Sequence, residues 1–327
     1  MTLHRAHIHC RYSQGGPSYL PRAFTPSDTS QLLLDCGGGS VLHNLCLQGS
    51  PHIDNNPMLR DGITGDWIGT FLGHKGAVWQ SRLSADAAIA ATAAADFSAK
   101  VWDTYTGECL HTLQHAHIVR AIAFPIQANP QVLATGSAEK KLRIFDLTRS
   151  GGSNGSSPSS PENADTIASY EIGPGVHGGT IKSIVWNQDP SILTTAAEDR
   201  KLRWWDLRSR ARSSSARSTG RSGPGKSVYV YDGVVPGRIL KKFDFDYDVA
   251  SAAVNQESGR LVTGSANDTW ARVYDLDTQE ELEVQKGHHG PIWSVSFSPD
   301  GKLYGTGSED GTIKLWKACR EPYGLWR

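Results

Sequence analysis

The feature that most constrains this chain is a recurring interval. In Gly287 to Trp316, GHHGPIWSVSFSPDGKLYGTGSEDGTIKLW, His288 is followed by Asp310 twenty-two residues on and by Trp316 six further. The same intervals separate His74, Asp96 and Trp102, and again His177, Asp199 and Trp205. Three residue types held at two spacings in three places mark a structural repeat. A unit of this size can bury its apolar face only against its neighbours.

One unit reads as a meander of strands. From Gly73, the apolar alternation of AVWQSRL gives way to a turn at SADAA, a strand of small residues (IAATAAA), a turn at Asp96, the strand AKVWD and, after a further turn, GECLHTL. Four short strands in about forty residues are the pattern of one propeller blade. Ends of the third strand recur at Leu59, Trp102, Phe145, Trp205, Tyr231, Tyr274 and Trp316. The prediction is a single all-β, seven-bladed propeller over residues 58–317, with a tail at 318–327.

Two steps in that series are irregular. The 60-residue step from Phe145 to Trp205 holds a Gly/Ser/Pro-rich insert at 150–165 with too few apolar groups to order itself. The 26-residue step from Trp205 to Tyr231 is shorter than the regular 43-residue step by about two strands. The fifth blade is therefore expected to be incomplete, reduced to an Arg/Ser-rich stretch at 207–226. Residues 1–57, rich in Gly, Ser, Pro and His, have no assignable register and read as an irregular first blade.

Lys+Arg and Asp+Glu are equal at 33 each, so there is no overall pull towards nucleic acid or an acidic membrane. Five scattered cysteines without CxxC spacing argue against a disulfide framework or a zinc site and for a reducing, intracellular setting. No apolar run is long enough to span a membrane, and MTLHRAHIHC has no secretory core, so a soluble protein is expected.

The repeated polar residues suit a frame of serial hydrogen bonds: His74, Thr92, Asp96 and Trp102; His177, Thr195, Asp199 and Trp205; His288, Thr306, Asp310 and Trp316. Each buried group left unpaired would cost roughly 1–3 kcal/mol. A hydroxyl, a His and an Asp also make up a hydrolase triad, but an enzyme needs one activated nucleophile rather than several equivalent frames. No catalytic residue is therefore assigned. The pairs His7/His9, His115/His117 and His288/His289 lack the carboxylate or Cys partners of a metal site, and no cofactor is expected.

Two features vary between repeats. Trp79 and Trp293 share one position at the start of the innermost strand, and Arg120 and Lys182 occupy it in two other blades. At a mouth of the channel these four form a candidate partner-binding set, since Trp and Arg are favoured at interface hot spots. The run from Arg208 to Arg221 could meet RNA phosphates, but it has no interleaved aromatics for base stacking and reads better as a solvated loop.

The Gly-His to Trp-Asp pattern resembles the WD40 repeat family over most of residues 58–316. The segments PMLRDGITGDWIGTFLGHKGAVW, AATAAADFSAKVWD and the closing YGLW resemble, within it, the serine/threonine kinase receptor-associated (Unrip) family. That resemblance implies a non-catalytic cytoplasmic adaptor, with SMN-complex subunits as partners in the assembly of spliceosomal small nuclear ribonucleoproteins, and with kinase receptors as further partners. The related subunit I of translation initiation factor 3 implies initiation-factor subunits instead. An enzyme with its active site in the channel is the alternative of another class. The sequence departs from the family pattern at its opening blade and at the fifth.

Overall fold

Backbone pairing sorts the strands of the described residues into six antiparallel sheets, five of four strands and one of five. The structure is a computed structural model and describes residues 6–8, 32–35, 40–42, 55–127, 129–150, 167–187, 189–209, 211–217, 225–232, 235–298 and 300–323. The predicted insert beyond Ser150, most of 1–57, residues 218–224 and the end of the tail lie outside the described residues.

After the short β1 (Ala6–Ile8), the first sheet contains β2 (Leu32–Asp35), β3 (Ser40–Leu42), β4 (Met58–Asp61) and β5 (Trp67–Thr70), in the order β3-β2-β4-β5. The second runs in chain order through β6 (Val78–Leu83), β7 (Ile89–Ala94), β8 (Ser98–Asp103) and β9 (Cys109–Gln114). The third is β10 (Val119–Ala123), β11 (Val132–Ser137), β12 (Leu142–Ser150) and β13 (Ile167–Ile172). The fourth is β14 (Ile181–Trp186), β15 (Ile192–Ala197), β16 (Lys201–Asp206) and β17 (Ala211–Arg217). The fifth has five strands: β18 (Gly225–Tyr231), β19 (Ile239–Asn255), β20 (Arg260–Ser265), β21 (Trp270–Asp275) and β22 (Glu281–Lys286). The sixth is β23 (Ile292–Phe297), β24 (Leu303–Ser308) and β25 (Ile313–Lys317), with β1 as its fourth strand, Ala6 opposite Leu315. A strand from the start of the chain thus completes the last sheet and ties the two ends of the array together.

Among the described residues the expected seven blades are six sheets. All seven expected strand ends lie on strands, Tyr231 on β18 included. Among the described residues, however, the expected fifth blade has no inner strands of its own, and its outer pair joins a neighbour. β18 pairs with the first half of the 17-residue β19, whose second half is the innermost strand of the next blade, and the two units merge into one sheet.

The Arg/Ser stretch also differs from the loop expected of it. Ala211–Arg217 pairs along β16, with Ala211 opposite Asp206 and Arg217 opposite Lys201, as the outer strand of the fourth sheet. Backbone groups make that ladder, and an outermost strand needs little apolar surface: β9 and β22, the outermost strands of their sheets, are mostly exposed.

The core lies between sheets. One buried cluster joins Ala91, Val101 and Leu113 of the second sheet to Ile122, Leu133 and Phe145 of the third. Others join third to fourth, first to second and fifth to sixth. Second strands are built of small residues because the adjacent blade lies against them: a Cβ on Gly264 would come within 2.6 Å of the Ile292 carbonyl oxygen. The turn into the third strand needs a left-handed residue after the acid, and Phe97, Lys140 and Arg200 adopt it at φ of 65°, 65° and 60°, while the last repeat uses Gly311. The described residues contain no helix, so none is long and apolar enough to cross a membrane.

Candidate functional site

In the second sheet the repeated residues form one directed chain of hydrogen bonds. Trp102 Nε1 donates to Thr92 Oγ1 at 2.8 Å, Thr92 Oγ1 lies 2.6 Å from His74 Nε2, and His74 Nδ1 lies 2.8 Å from Asp96 Oδ2. Trp102 can only donate and Asp96 only accept, so the chain fixes the His74 tautomer with its proton on Nδ1. Burial holds the His74 pKa below its ordinary value, against the pull of Asp96. The carboxylate also receives the Lys75 N–H and the Ser98 hydroxyl. The sixth sheet repeats the arrangement with Trp316, Thr306, His288 and Asp310, and Thr312 in place of Ser98. Burial opposes the Asp310 charge, but bonds from His288, the His289 N–H and Thr312 outweigh it and lower its pKa.

Thr92, His74 and Asp96 have the bonding order of a hydrolytic triad. Thr92 and Thr306 are nevertheless fully buried, each beneath a Trp whose N–H occupies its oxygen. These hydroxyls have no room for a substrate, and the trio serves to hold a turn.

The fourth sheet departs from the expected series. Trp205 Nε1 reaches Thr195 Oγ1 at 2.9 Å, but Asp199 is taken by Arg203, whose Nη1 is 3.1 Å from Oδ1 and 3.3 Å from His177 Nδ1. Burial, then the Arg203 charge, push His177 down to about 4. Asp199 is held at about 2, where the Arg203 hydrogen bonds overcome its burial. The reason lies two residues before the aromatic. Lys100 and Lys314 leave the carboxylate to His, whereas Arg143, Arg203 and Arg272 reach back four residues to Glu139, Asp199 and Asp268. In the fifth sheet a phenol replaces the imidazole: Tyr247 Oη lies 2.6 Å from Thr263 Oγ1 and 3.0 Å from Tyr274 Oη.

The candidate partner-binding residues share a structural cause. In five sheets one pairing, of the first two strands or in the fifth sheet of β19 with β20, skips one residue: Trp79, Arg120, Lys182, Ala250 and Trp293. A β-bulge turns its extra side chain out of the ladder, so the same bulge aims five side chains at one end of the inner strands. The hairpin facing each bulge decides what happens next. Where it offers an acid, the bulge residue binds within its own blade: Lys182 Nζ is 3.3 Å from Glu198 Oε1, and Trp293 Nε1 donates to Glu309 at 3.1 Å. Where it offers Ala95 or Ala138, the bulge residues meet across the blade boundary, with the Arg120 Cζ 4.0 Å from the Trp79 ring centre.

Arg120 also bears on Glu198, whose pKa is lowered first by Thr180 and then by Lys182 and Arg120. Trp79, Arg120, Glu198 and Lys182 thus form one continuous patch over three blades. Trp293 stands apart from it, with the first sheet between β23 and β6. The sequence reading missed Glu198 and Glu309; the signal was the acid directly before the turn acid, present in those two repeats and replaced by Ala in two others.

Comparison with known proteins agrees with this architecture. The WD domain, G-beta repeat model matches residues 65–103, 107–146, 174–206 and 279–317. The chain is 42% identical over 290 residues to the serine-threonine kinase receptor-associated protein of Gallus gallus, covering 84% of this chain and 76% of that one. It is 37% identical over 293 residues to the protein of the same name from Dictyostelium discoideum, covering 85% and 91%. Eukaryotic translation initiation factor 3 subunit I of Culex quinquefasciatus is 28% identical over 293 residues, covering 80% and 87%.

Proposed function

Because the chain belongs to the family of the serine-threonine kinase receptor-associated proteins, built of WD40 repeats, we propose that it is a non-catalytic scaffold of the cytoplasm. In this reading it holds SMN-complex subunits and Sm proteins in fixed relation during assembly of small nuclear ribonucleoproteins. Kinase receptors, which the relatives' name mentions, are further partners within the same reading.

The observation that carries it is the bulge patch. Trp79, Arg120 and Lys182 are half-buried, braced by ring stacking and an ion pair, and set on inner strands rather than on loops. A surface of aromatic and cationic groups on a rigid support loses little side-chain entropy on binding, which suits docking of a protein partner. The mechanism is rigid display without chemical turnover.

Affinity purification from cells, with the wild-type chain and with Trp79→Ala plus Trp293→Ala, tests this. SMN-complex subunits and Sm proteins are expected with the wild type and are expected to be depleted with the folded double variant. The likeness to initiation factor 3 subunit I supports a second reading, and recovery of initiation-factor subunits instead would select it.

A further inference from the structure

The vacancy in the fifth blade is a surface distinct from the bulge patch. Its walls are sheet faces that neighbouring blades cover elsewhere in the ring. On one side stand Ser183 and Val185 of β14 with Thr194 and Ala196 of β15. Val185 is 55% exposed, whereas Arg82, Ala123 and Ser296 at the same register are 8%, 4% and 5% exposed. Ala196 is half-buried where its counterpart Ala93 is fully buried. On the other side Val254 of β19 is 41% exposed, although Leu83, Phe124 and Trp186 at its position are buried.

Between these walls lies β18, the last strand in the order of its sheet, which pairs with β19 on one side only. Val228 and Val230 anchor one face of it beside Phe243, and Tyr231 meets the Trp204 ring on the other at 5.8 Å. The strand is held on both faces, while among the described residues its other backbone edge has no partner strand at the position where the other blades carry two inner strands.

We infer that this notch receives a β-hairpin donated by another protein, which adds to the β18 edge and completes the blade. The open edge calls for an extended strand, since backbone N–H and C=O groups are what it offers. Ser183, Val185, Thr194 and Ala196 on one side and Val254 on the other call for small apolar side chains on both faces of the hairpin, the composition of a buried central strand. The inner hairpin Ile292–Ser308 shows the length that fits, two strands of six residues and their turn. The seven residues 218–224 that connect β17 to β18 are too few to supply it.

The test uses the full chain and, as probe, a synthetic peptide of the sequence Ile292–Ser308, IWSVSFSPDGKLYGTGS. Titration calorimetry is expected to give one peptide per chain, and hydrogen exchange to show protection of β18 amides that exchange freely without it. Val185→Arg, at an exposed position, is expected to keep the melting temperature within about 2 °C and to weaken the peptide about tenfold or more. Trp79→Ala plus Trp293→Ala is expected to leave peptide binding unchanged, which separates this inference from the bulge patch. Absence of binding, equal binding of a scrambled peptide, or equal binding to Val185→Arg overturns it. Protection of β18 in the free monomer also overturns it, because a segment of the chain itself would then fill the notch. A homodimer dissociated by Val185→Arg would make a second copy the occupant and overturn it as well.

Discussion

The Arg120 guanidinium lies over the Trp79 indole, its Cζ 4.0 Å from the ring centre, and so couples bulge residues of adjacent blades. In these two repeats the residue directly before the turn acid is Ala95 or Ala138, where the fourth and sixth sheets have Glu198 and Glu309. Trp79→Ala and Arg120→Ala should therefore be non-additive. A double-mutant cycle in urea is expected to give a coupling of about 0.5–1 kcal/mol for this half-exposed pair. A coupling near zero would show that the two side chains act separately.

Thr92→Val and Thr135→Val should differ, although both threonines are fully buried at the same repeat position. Thr92 accepts from Trp102 and bonds His74, so the valine strands two buried groups at a cost of about 3 kcal/mol. Thr135 Oγ1 has no hydrogen-bond partner, and the aromatic position of its repeat holds Phe145, which has no donor, so its valine is expected to change stability by less than about 1 kcal/mol. Thermal melts of the two variants decide it.

Arg203→Lys should destabilise the fourth sheet by about 2 kcal/mol, because a lysine cannot keep the two-pronged bond to Asp199. The Lys-containing sheets place a hydroxyl two residues after the acid, Ser98 or Thr312, where the fourth sheet has Lys201. Adding Lys201→Ser to Arg203→Lys is expected to restore about half of the loss. No recovery in chemical denaturation would break the link between the two positions.

Acid should weaken the fold in two stages. His115 and His177 are pushed from 6.5 to about 4, by burial first and then by the charges of Arg143 and Arg203. Between those values the unfolded chain binds more protons than the folded one, so stability falls as pH drops from about 6.5 to 4, by about 3 kcal/mol per histidine at most. Asp96, Asp199 and Asp310 have lowered pKa values, and their contribution is lost only below the ordinary carboxylate range near 3.8. Replacing His115 and His177 by Phe is expected to flatten the melting temperature between pH 7 and 4.5 and leave the lower stage in place.

The spacing of His, Asp and Trp was enough to read the repeat, its strands and the buried frame around Thr92 and Thr306, because those relations lie within one unit and follow from local period and turn chemistry. Tyr247 standing in for a histidine was not legible. It sits at a different place in its unit and converges on Thr263 only once β19 is folded against β20. Arg203 was present in the sequence, but its competition with His177 for Asp199 depends on side-chain reach, which spacing does not record.

By itself the sequence determined an all-β array of blades and the one position per blade at which residue type varies. Only the tertiary structure decided that this position is a bulge, that Ala or Glu across the hairpin sends its side chain to the next blade or keeps it at home, and that the shortened fifth blade merges with the sixth. Local alternation specifies a strand and the face it buries. Which edge it pairs with, and which face is left uncovered, depends on the sheets that pack beside it.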